Sequence, residues 1–293
     1  GVRSGNGEIT ITWNAALTPT QTAGLPSGST FPIGTTTNTF IVTDSSGNTA
    51  TCSFDVTVND TEAPAITCPG NIIQSNDPGV CGAVITYTAP VGTDNCPGST
   101  TVQTAGLASG ETFPIGTTTN TFVVTDASGN TATCSFDVTI NDNEAPVPNC
   151  AAPFTIQLDA NGDASITVAD IDNGSTDNCA IASTSIDITD FTCADVGPNT
   201  VTLTVTDVNG NSSTCTTIVT VEDNVSPVAN CAAPFTIQLD ANGMASITVA
   251  DIDNGSTDAC GIASSSIDIT DFDCSNVGPN TVTLTVTDVN GNS

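Results

Sequence analysis

The chain has 293 residues, with 31 acidic side chains, one Arg (Arg3), no Lys and no His, for a formal charge of −30. Phosphate recognition needs Lys and Arg, so nucleic acids and anionic membrane surfaces are excluded as partners. No apolar run approaches the roughly 18 residues of a bilayer span, so direct membrane insertion is not expected.

Catalysis is constrained almost as hard. General acid–base and nucleophilic chemistry near neutral pH relies mostly on His, Lys or an activated Ser or Cys, and only carboxylates remain here. A paired-carboxylate hydrolase would normally add aromatic sugar platforms, and the chain holds one Trp (Trp13) and one Tyr (Tyr87). No enzyme is expected. Missing Lys also removes Lys–Asn isopeptide cross-links. Twelve cysteines with no His and no C-x-x-C point to disulfides, hence to an oxidising extracellular or cell-surface compartment.

In chain order, Thr22–Asp60 recurs at Thr104–Asp142 with five substitutions, and Asn149–Ser212 recurs at Asn230–Ser293. Two repeat types therefore follow one another twice each. A period of roughly 80 residues suits a small β-sandwich rather than a solenoid unit. "NTFVVTD", "CSFDVTIND", "FTIQLDA", "ASITVAD" and "NTVTLTVTD" alternate apolar and polar residues between Gly, Asn, Asp and Pro. "TDASGNTATC" and "TDVNGNSSTC" read as hairpins joining the last two strands. No stretch has helical periodicity of useful length. The expected fold is all-β, with tandem immunoglobulin-like β-sandwiches in an extended array. The expected domains are 1–58 (N-terminal strands missing), 59–141, 142–223 and 224–293 (last strand missing), with Gly1 a cut into something longer.

The run "P-x-I-T-C-P … T-D-N-C … F-P-I-G-T-T … V-T-D-x-S-G-N-x-A-x-C-S-F-x-V-x-V" from Pro64 to Ile140 resembles the HYR (hyalin repeat) domain, and residues 22–58 resemble its C-terminal half. Residues 1–21 depart from it, since "EITITWNAALTPTQ" has no counterpart of "TDNCPG". The later repeats look like a divergent HYR-related module of long tandem surface proteins in Bacteroidetes. The whole pattern is similar to gliding-motility adhesins of the SprB kind. The resemblance implies immunoglobulin-like domains and a role in adhesion.

Sequential pairing of the outer cysteines would join Cys134 to Cys150. Intradomain pairing would join Cys68 to Cys134 and Cys150 to Cys215. A strand leaving Cys134 runs out by about 20 Å before the linker, whereas first and last strands of an immunoglobulin sandwich lie side by side. The intradomain scheme is therefore expected. Short loops would close Cys81–Cys96, Cys179–Cys193 and Cys260–Cys274, leaving Cys52 and Cys231 unpaired because their partners lie outside the fragment.

Acidic clusters mark the linkers: Asn59, Asp60 and Glu62; Asn141, Asp142 and Glu144; Glu222, Asp223 and Asn224, with Pro64, Pro146 and Pro227 stiffening the exits. Oxygen ligands without basic partners suit Ca2+, and "NDNEAP" resembles the calcium-bearing linker of cadherins. A solvated polar linker is the plainer reading. A second candidate is "ADIDNGSTDNC" (Asp170, Asp172, Asp177) with its copy Asp251, Asp253, Asp258 and the related Asp94, which could meet hairpin residues Asp126, Asp207 and Asp288 at one pole. Asx-turns and caps are the alternative there. "DANGD" (Asp159, Asn161, Asp163) is expected to be a turn, because its copy carries Met244.

The expected function is a structural and adhesive segment of a long surface protein or filament: a disulfide-clamped, calcium-rigidified stalk for adhesion or gliding. Its partners would be neighbouring repeats and, through loops, surface glycans or other cell-surface proteins. Ancillary domains of a secreted hydrolase are the third reading. Asn-x-Ser sites stand at Asn173, Asn211, Asn224 and Asn254.

Overall fold

The computed structural model describes residues 17–293. The expectations placed on Arg3, Trp13 and the "EITITWN" segment lie outside them. The described residues form two compact units, one of residues 17–72, 85–111 and 117–138 and the other of residues 73–84, 112–116 and 139–293.

The described residues are almost entirely strands and turns. The first repeat contributes β1 (Thr20–Ala23), β2 (Gly34–Thr43) and β3 (Thr49–Val58). The second contributes β4 (Ile72–Ser75), β5 (Gly82–Val84), β6 (Thr100–Ala105), β7 (Thr112–Pro114), β8 (Gly116–Thr125) and β9 (Thr131–Asn141). The third contributes β10 (Phe154–Gln157), β11 (Asp163–Ser165), β12 (Ile181–Ile186), β13 (Asp190–Thr192), β14 (Gly197–Asp207) and β15 (Ser212–Glu222). The last contributes β16 (Ala245–Ser246), β17 (Ile262–Ile267), β18 (Asp271–Phe272) and β19 (Leu284–Asp288).

The third repeat shows the plan. One sheet has the order β10-β15-β14-β12 and the other pairs β11 with β13. First strand β10 runs parallel to last strand β15, Phe154 opposite Val219 and Gln157 opposite Glu222. All other pairings in the repeat are antiparallel. This is the immunoglobulin-like sandwich expected from the sequence. Because side chains alternate across a strand, Val201, Leu203 and Val205 of β14 and Val219 and Val221 of β15 turn to one face and are fully buried. They pack with Leu158, Ile166, Ile171 and Phe191 as one apolar core. Burial of such a side chain contributes roughly 1.5–3 kcal/mol, which offsets the self-repulsion of so acidic a chain.

The second repeat has the same strand orders, β4-β9-β8-β6 and β5-β7. There the single Tyr is a core element: the Tyr87 ring meets Phe136 edge-on with centroids 5.1 Å apart. Its hydroxyl donates to the Leu107 carbonyl at 2.7 Å, satisfying its one polar atom.

Two four-residue helices interrupt the strands, α1 (Val168–Ile171) and α2 (Val249–Ile252). They are too short to show periodicity, so the strand-and-turn pattern of the sequence does not report them. "DANGD" is a turn: Asp159 Oδ1 accepts from the Asn161 and Asp163 amides, and its copy Asp240 accepts from Asn242 and Met244 in the same way.

Candidate functional site

Two classes of disulfide are present. Cys68–Cys134 and Cys150–Cys215 fasten the start of a repeat to its last strand, with Cα atoms 5.6 and 5.9 Å apart. The parallel neighbourhood of β10 and β15 accounts for the second pairing.

The short-loop pairings expected for Cys81–Cys96, Cys179–Cys193 and Cys260–Cys274 are not formed. Instead Cys81 bonds Cys179, and Cys193 bonds Cys260. The physical reason is the placement of the cysteines. The turn carrying Cys81 is tied to the segment leaving its repeat, where Gly79 donates to Glu144 Oε2 at 2.8 Å and Asn76 to the Asn141 carbonyl at 2.9 Å. Cys96 sits instead beside Asp60 in the linker that leads into the repeat. In the third repeat Cys179 stands beside the incoming linker residue Asp142. Cys193 lies against the Gly162 turn and reaches forward to the next repeat. Gly162 has φ +82°, and a Cβ there would come within 2.5 Å of Cys193 Sγ, so both turn and bridge require glycine. The last repeat duplicates this device: Gly243 faces Cys274 Sγ.

The unpaired cysteines are Cys52, Cys96, Cys231 and Cys274. Cys96 and Cys274 thus join the two expected from the sequence. Cys52, Cys231 and Cys274 are exposed. Burial, a hydrogen bond to Asp60 and the charges of Asp60, Asp94 and Asp126 push the Cys96 thiol up. Since the thiolate is the nucleophile, maleimide labelling at pH 7.5 should modify Cys52, Cys231 and Cys274 at least tenfold faster than Cys96. Mass spectrometry of timed aliquots reads the order, and equal rates would contradict this placement.

The acidic candidates separate into five groups. Hairpin residues Asp126, Asp207 and Asp288 are buried. For each, burial raises the carboxyl pKa, but hydrogen bonds from the turn outweigh it and hold the group below the ordinary carboxylate value. Asp207 Oδ1 accepts from the Asn209 and Asn211 amides, each at 2.8 Å, and Oδ2 accepts from Asn211 Nδ2 at 2.8 Å. The same Asn then reaches the linker. Asn130, Asn211 and Asn292 donate to the carbonyls of Asp60, Asp142 and Asp223 at 3.1, 3.2 and 3.0 Å. With Asn211 so occupied, its amide is a poor glycan acceptor.

Asp170 and Asp251 are helix caps. Each accepts from the backbone and hydroxyl of Thr167 or Thr248, and these bonds lower its pKa. Asp172 and Asp253 close Asx-turns on Ser175 and Ser256. The linker glutamates are also spoken for: Glu62 accepts from Asn95, Glu144 from Gly79 and Asn76, and Glu222 from Gln157.

What remains is a linker Asp beside a loop Asp, three times over, joined by a loop Cys in the first two clusters and by hairpin Asp288 in the third. Ligand atoms of Asp60, Asp94 and Cys96, of Asp142, Asp177 and Cys179, and of Asp223, Asp258 and Asp288 each lie within 4.8 Å of one another. The linker and loop acids expected as two separate sites converge as one.

Architecture and bridging define a class: tandem β-sandwich repeats, with the second, third and fourth covalently bridged in series. More particularly, residues 7–58 and 59–140 match the HYR domain. Hyalin from Strongylocentrotus purpuratus is 33% identical over 280 residues, covering 90% of this chain and 23% of its own length. Hyalin from Lytechinus variegatus is 32% identical over 254 residues, covering 80% and 47%. The chain therefore spans less than half of either relative. A Staphylococcus aureus protein named serine-rich adhesin for platelets is 34% identical over 163 residues, 46% of this chain and 7% of that one. Among solved structures, the extracellular cadherin domains 1–5 of protocadherin gamma B2 align at 15% identity with a TM-score of 0.34, over 96% of this chain and 64% of that one.

Proposed function

We propose that this chain is a non-catalytic, adhesive spacer segment of a longer extracellular or cell-surface protein, in which the disulfides make a stalk of successive repeats stiff. The bridging of the second repeat to the third by Cys81–Cys179 and of the third to the fourth by Cys193–Cys260 carries this reading. A binding module or an enzyme needs a well-formed site within one domain. A spacer needs control over the joints between domains, and that is where these covalent bonds fall. Persistence of disulfides requires an oxidising compartment. Absence of His and Lys from the sequence supports a non-catalytic role, and adhesion is supported by the named adhesin among the relatives. Gliding is one process such a stalk would serve. Cys274, set against Gly243 as Cys193 is against Gly162, is where a further repeat would be bridged.

Small-angle scattering tests the spacer reading. Oxidised protein should give one narrow maximum dimension. The Cys81→Ala/Cys179→Ala and Cys193→Ala/Cys260→Ala quadruple variant should give a broader, shorter-averaging distribution, with each repeat still folded. Identical profiles for the two proteins would reject the bridges as stiffening elements. Peptide mapping of the oxidised protein should recover the Cys81–Cys179 and Cys193–Cys260 cross-links. Cleavage at Glu144 and Glu222 suits this map, since trypsin finds no Lys and one Arg.

A further inference from the structure

We propose that the acidic linkers at Asp142 and Asp223 each close a divalent-cation site, built from the linker Asp, the Asp two residues before the loop cysteine and the neighbouring hairpin, and taking Ca2+.

The clusters are more than an accumulation of acids, because they contain buried oxygens with no partner. Asp142 Oδ2, Asp177 Oδ1, Asp223 Oδ2 and Asp258 Oδ1 are buried and accept no hydrogen bond. Asp142 is 7% exposed and Asp223 6%. A buried ionised oxygen left unsatisfied is costly, and several together cost more. The usual remedy, an Arg or Lys, is denied to this chain, whose sequence has a single Arg and no Lys or His.

The free oxygens are held in place rather than left to find solvent. Each of these linker carboxylates is pinned through its other oxygen: Asp142 Oδ1 accepts from the Glu144 amide at 3.1 Å and Asp223 Oδ1 from Val225 at 3.0 Å. Asp94 Oδ2 accepts from the Cys96 amide and Asp177 Oδ2 from Cys179, both at 2.8 Å. The hairpin Asn clamps the linker carbonyl and is itself fastened to the hairpin Asp. In both linkers one Asp oxygen is satisfied by backbone and the other points into the cluster.

Donor chemistry selects the ion. Cys179 is in a disulfide and offers no thiolate, and in the third cluster all three residues are Asp. An all-oxygen set of carboxylates completed by water suits Ca2+, which takes six to eight oxygens, and not Zn2+, which prefers N and S. The internal repetition agrees. Around the constant Asp the linkers read "NDTEAP", "NDNEAP" and "EDNVSP", so the glutamate becomes Val while the Asp stays.

The test is equilibrium dialysis of chelator-treated, oxidised protein against Ca2+, with Mg2+ alone as a second arm. One ion at the Asp142 cluster and one at the Asp223 cluster, two per chain, are expected. Asp142→Asn and Asp223→Asn, which preserve shape and the backbone hydrogen bond, should each remove one ion, and the control Glu144→Gln none. Millimolar Ca2+ should also raise the melting temperature by several degrees in the parent and by less in each Asn variant. No bound Ca2+ at 10 mM, or the same ion count in parent and Asn variants, would overturn the proposal. So would melting temperatures that Ca2+ leaves unchanged while a drop to pH 5 raises them, which would assign the clusters a shared proton instead. The inference is independent of the spacer reading: the cross-linked peptides report the bridges whether or not ions bind.

Discussion

Reduction should multiply the extension of this chain under load about sixfold over the span from Cys68 to Cys260. At about 3.4 Å per residue, that stretch of backbone would reach roughly 650 Å if fully drawn out. The bridges supply a shorter covalent route. From Cys68 the chain runs to Cys81, crosses to Cys179, runs on to Cys193 and crosses to Cys260. No pulling force short of bond rupture can extend the oxidised span beyond roughly 100 Å. The long bridges act in parallel, since Cys68–Cys134 and Cys150–Cys215 each short-circuit a sandwich body. This redundancy gives a sharper test than reduction alone. Removing Cys150–Cys215 by a double Ala variant should leave the oxidised limit unchanged, because the route through Cys179 and Cys193 survives. Its cost should appear in stability instead, at about 4 kcal/mol by the loop-closure estimate, read by denaturant unfolding of the variant. Single-molecule pulling that releases whole repeats from oxidised protein would refute this connectivity.

How far this connectivity is visible in the sequence depends on which contact is asked for. The long bridges are legible because alternation in "FTIQLDA" and "CTTIVTV" marks first and last strands, and a sandwich sets those side by side. The bridges between repeats are not. Periodicity describes one domain at a time, and nothing in it reports which end of a sandwich a loop reaches. A short spacing such as Cys81 to Cys96 therefore suggests a local loop, although one cysteine is tied to the outgoing segment and the other to the incoming linker. The acids divide on similar lines. Asp60, Asp142 and Asp223 are legible as linker acids, and Asp94, Asp177 and Asp258 as loop acids, but their convergence depends on the fold. Asp170 and Asp172 look like Asp177 in the sequence, three acids crowded into one short run. They serve instead a helix of four residues and the turn after it, elements too short to leave a pattern.

Replacing Asp207 by Ala should be among the most damaging single changes in the third repeat. Asp207 is 2% exposed and accepts three hydrogen bonds, two from turn amides and one from Asn211 Nδ2. Its loss strands those donors beneath the linker, and hydrogen bonds to a charged acceptor are worth about 1.5–3 kcal/mol each before relaxation. Since the turn can partly relax toward water, a loss of roughly 3 kcal/mol is expected, measurable by urea unfolding followed by near-ultraviolet signal. Asn211 would also lose the anchor that lets it hold the Asp142 carbonyl, so the damage should spread into the linker. Asp207→Asn separates charge from shape: Oδ1 can still accept from both amides, but its Nδ2 would face the Asn211 Nδ2, donor against donor. The sign with pH follows from the lowered pKa. A carboxylate whose folded pKa lies below its unfolded value, 3.8 here, contributes its full stability above that value and loses it as pH falls through the folded pKa. The stability gap between parent and Asp207→Asn should therefore be constant from about pH 7 to about pH 5 and close only below about pH 4. Comparing the two proteins cancels the general relief of acid–acid repulsion on protonation, which acts on both. A gap that widens as pH falls would mean that the carboxylate is not the acceptor holding this turn.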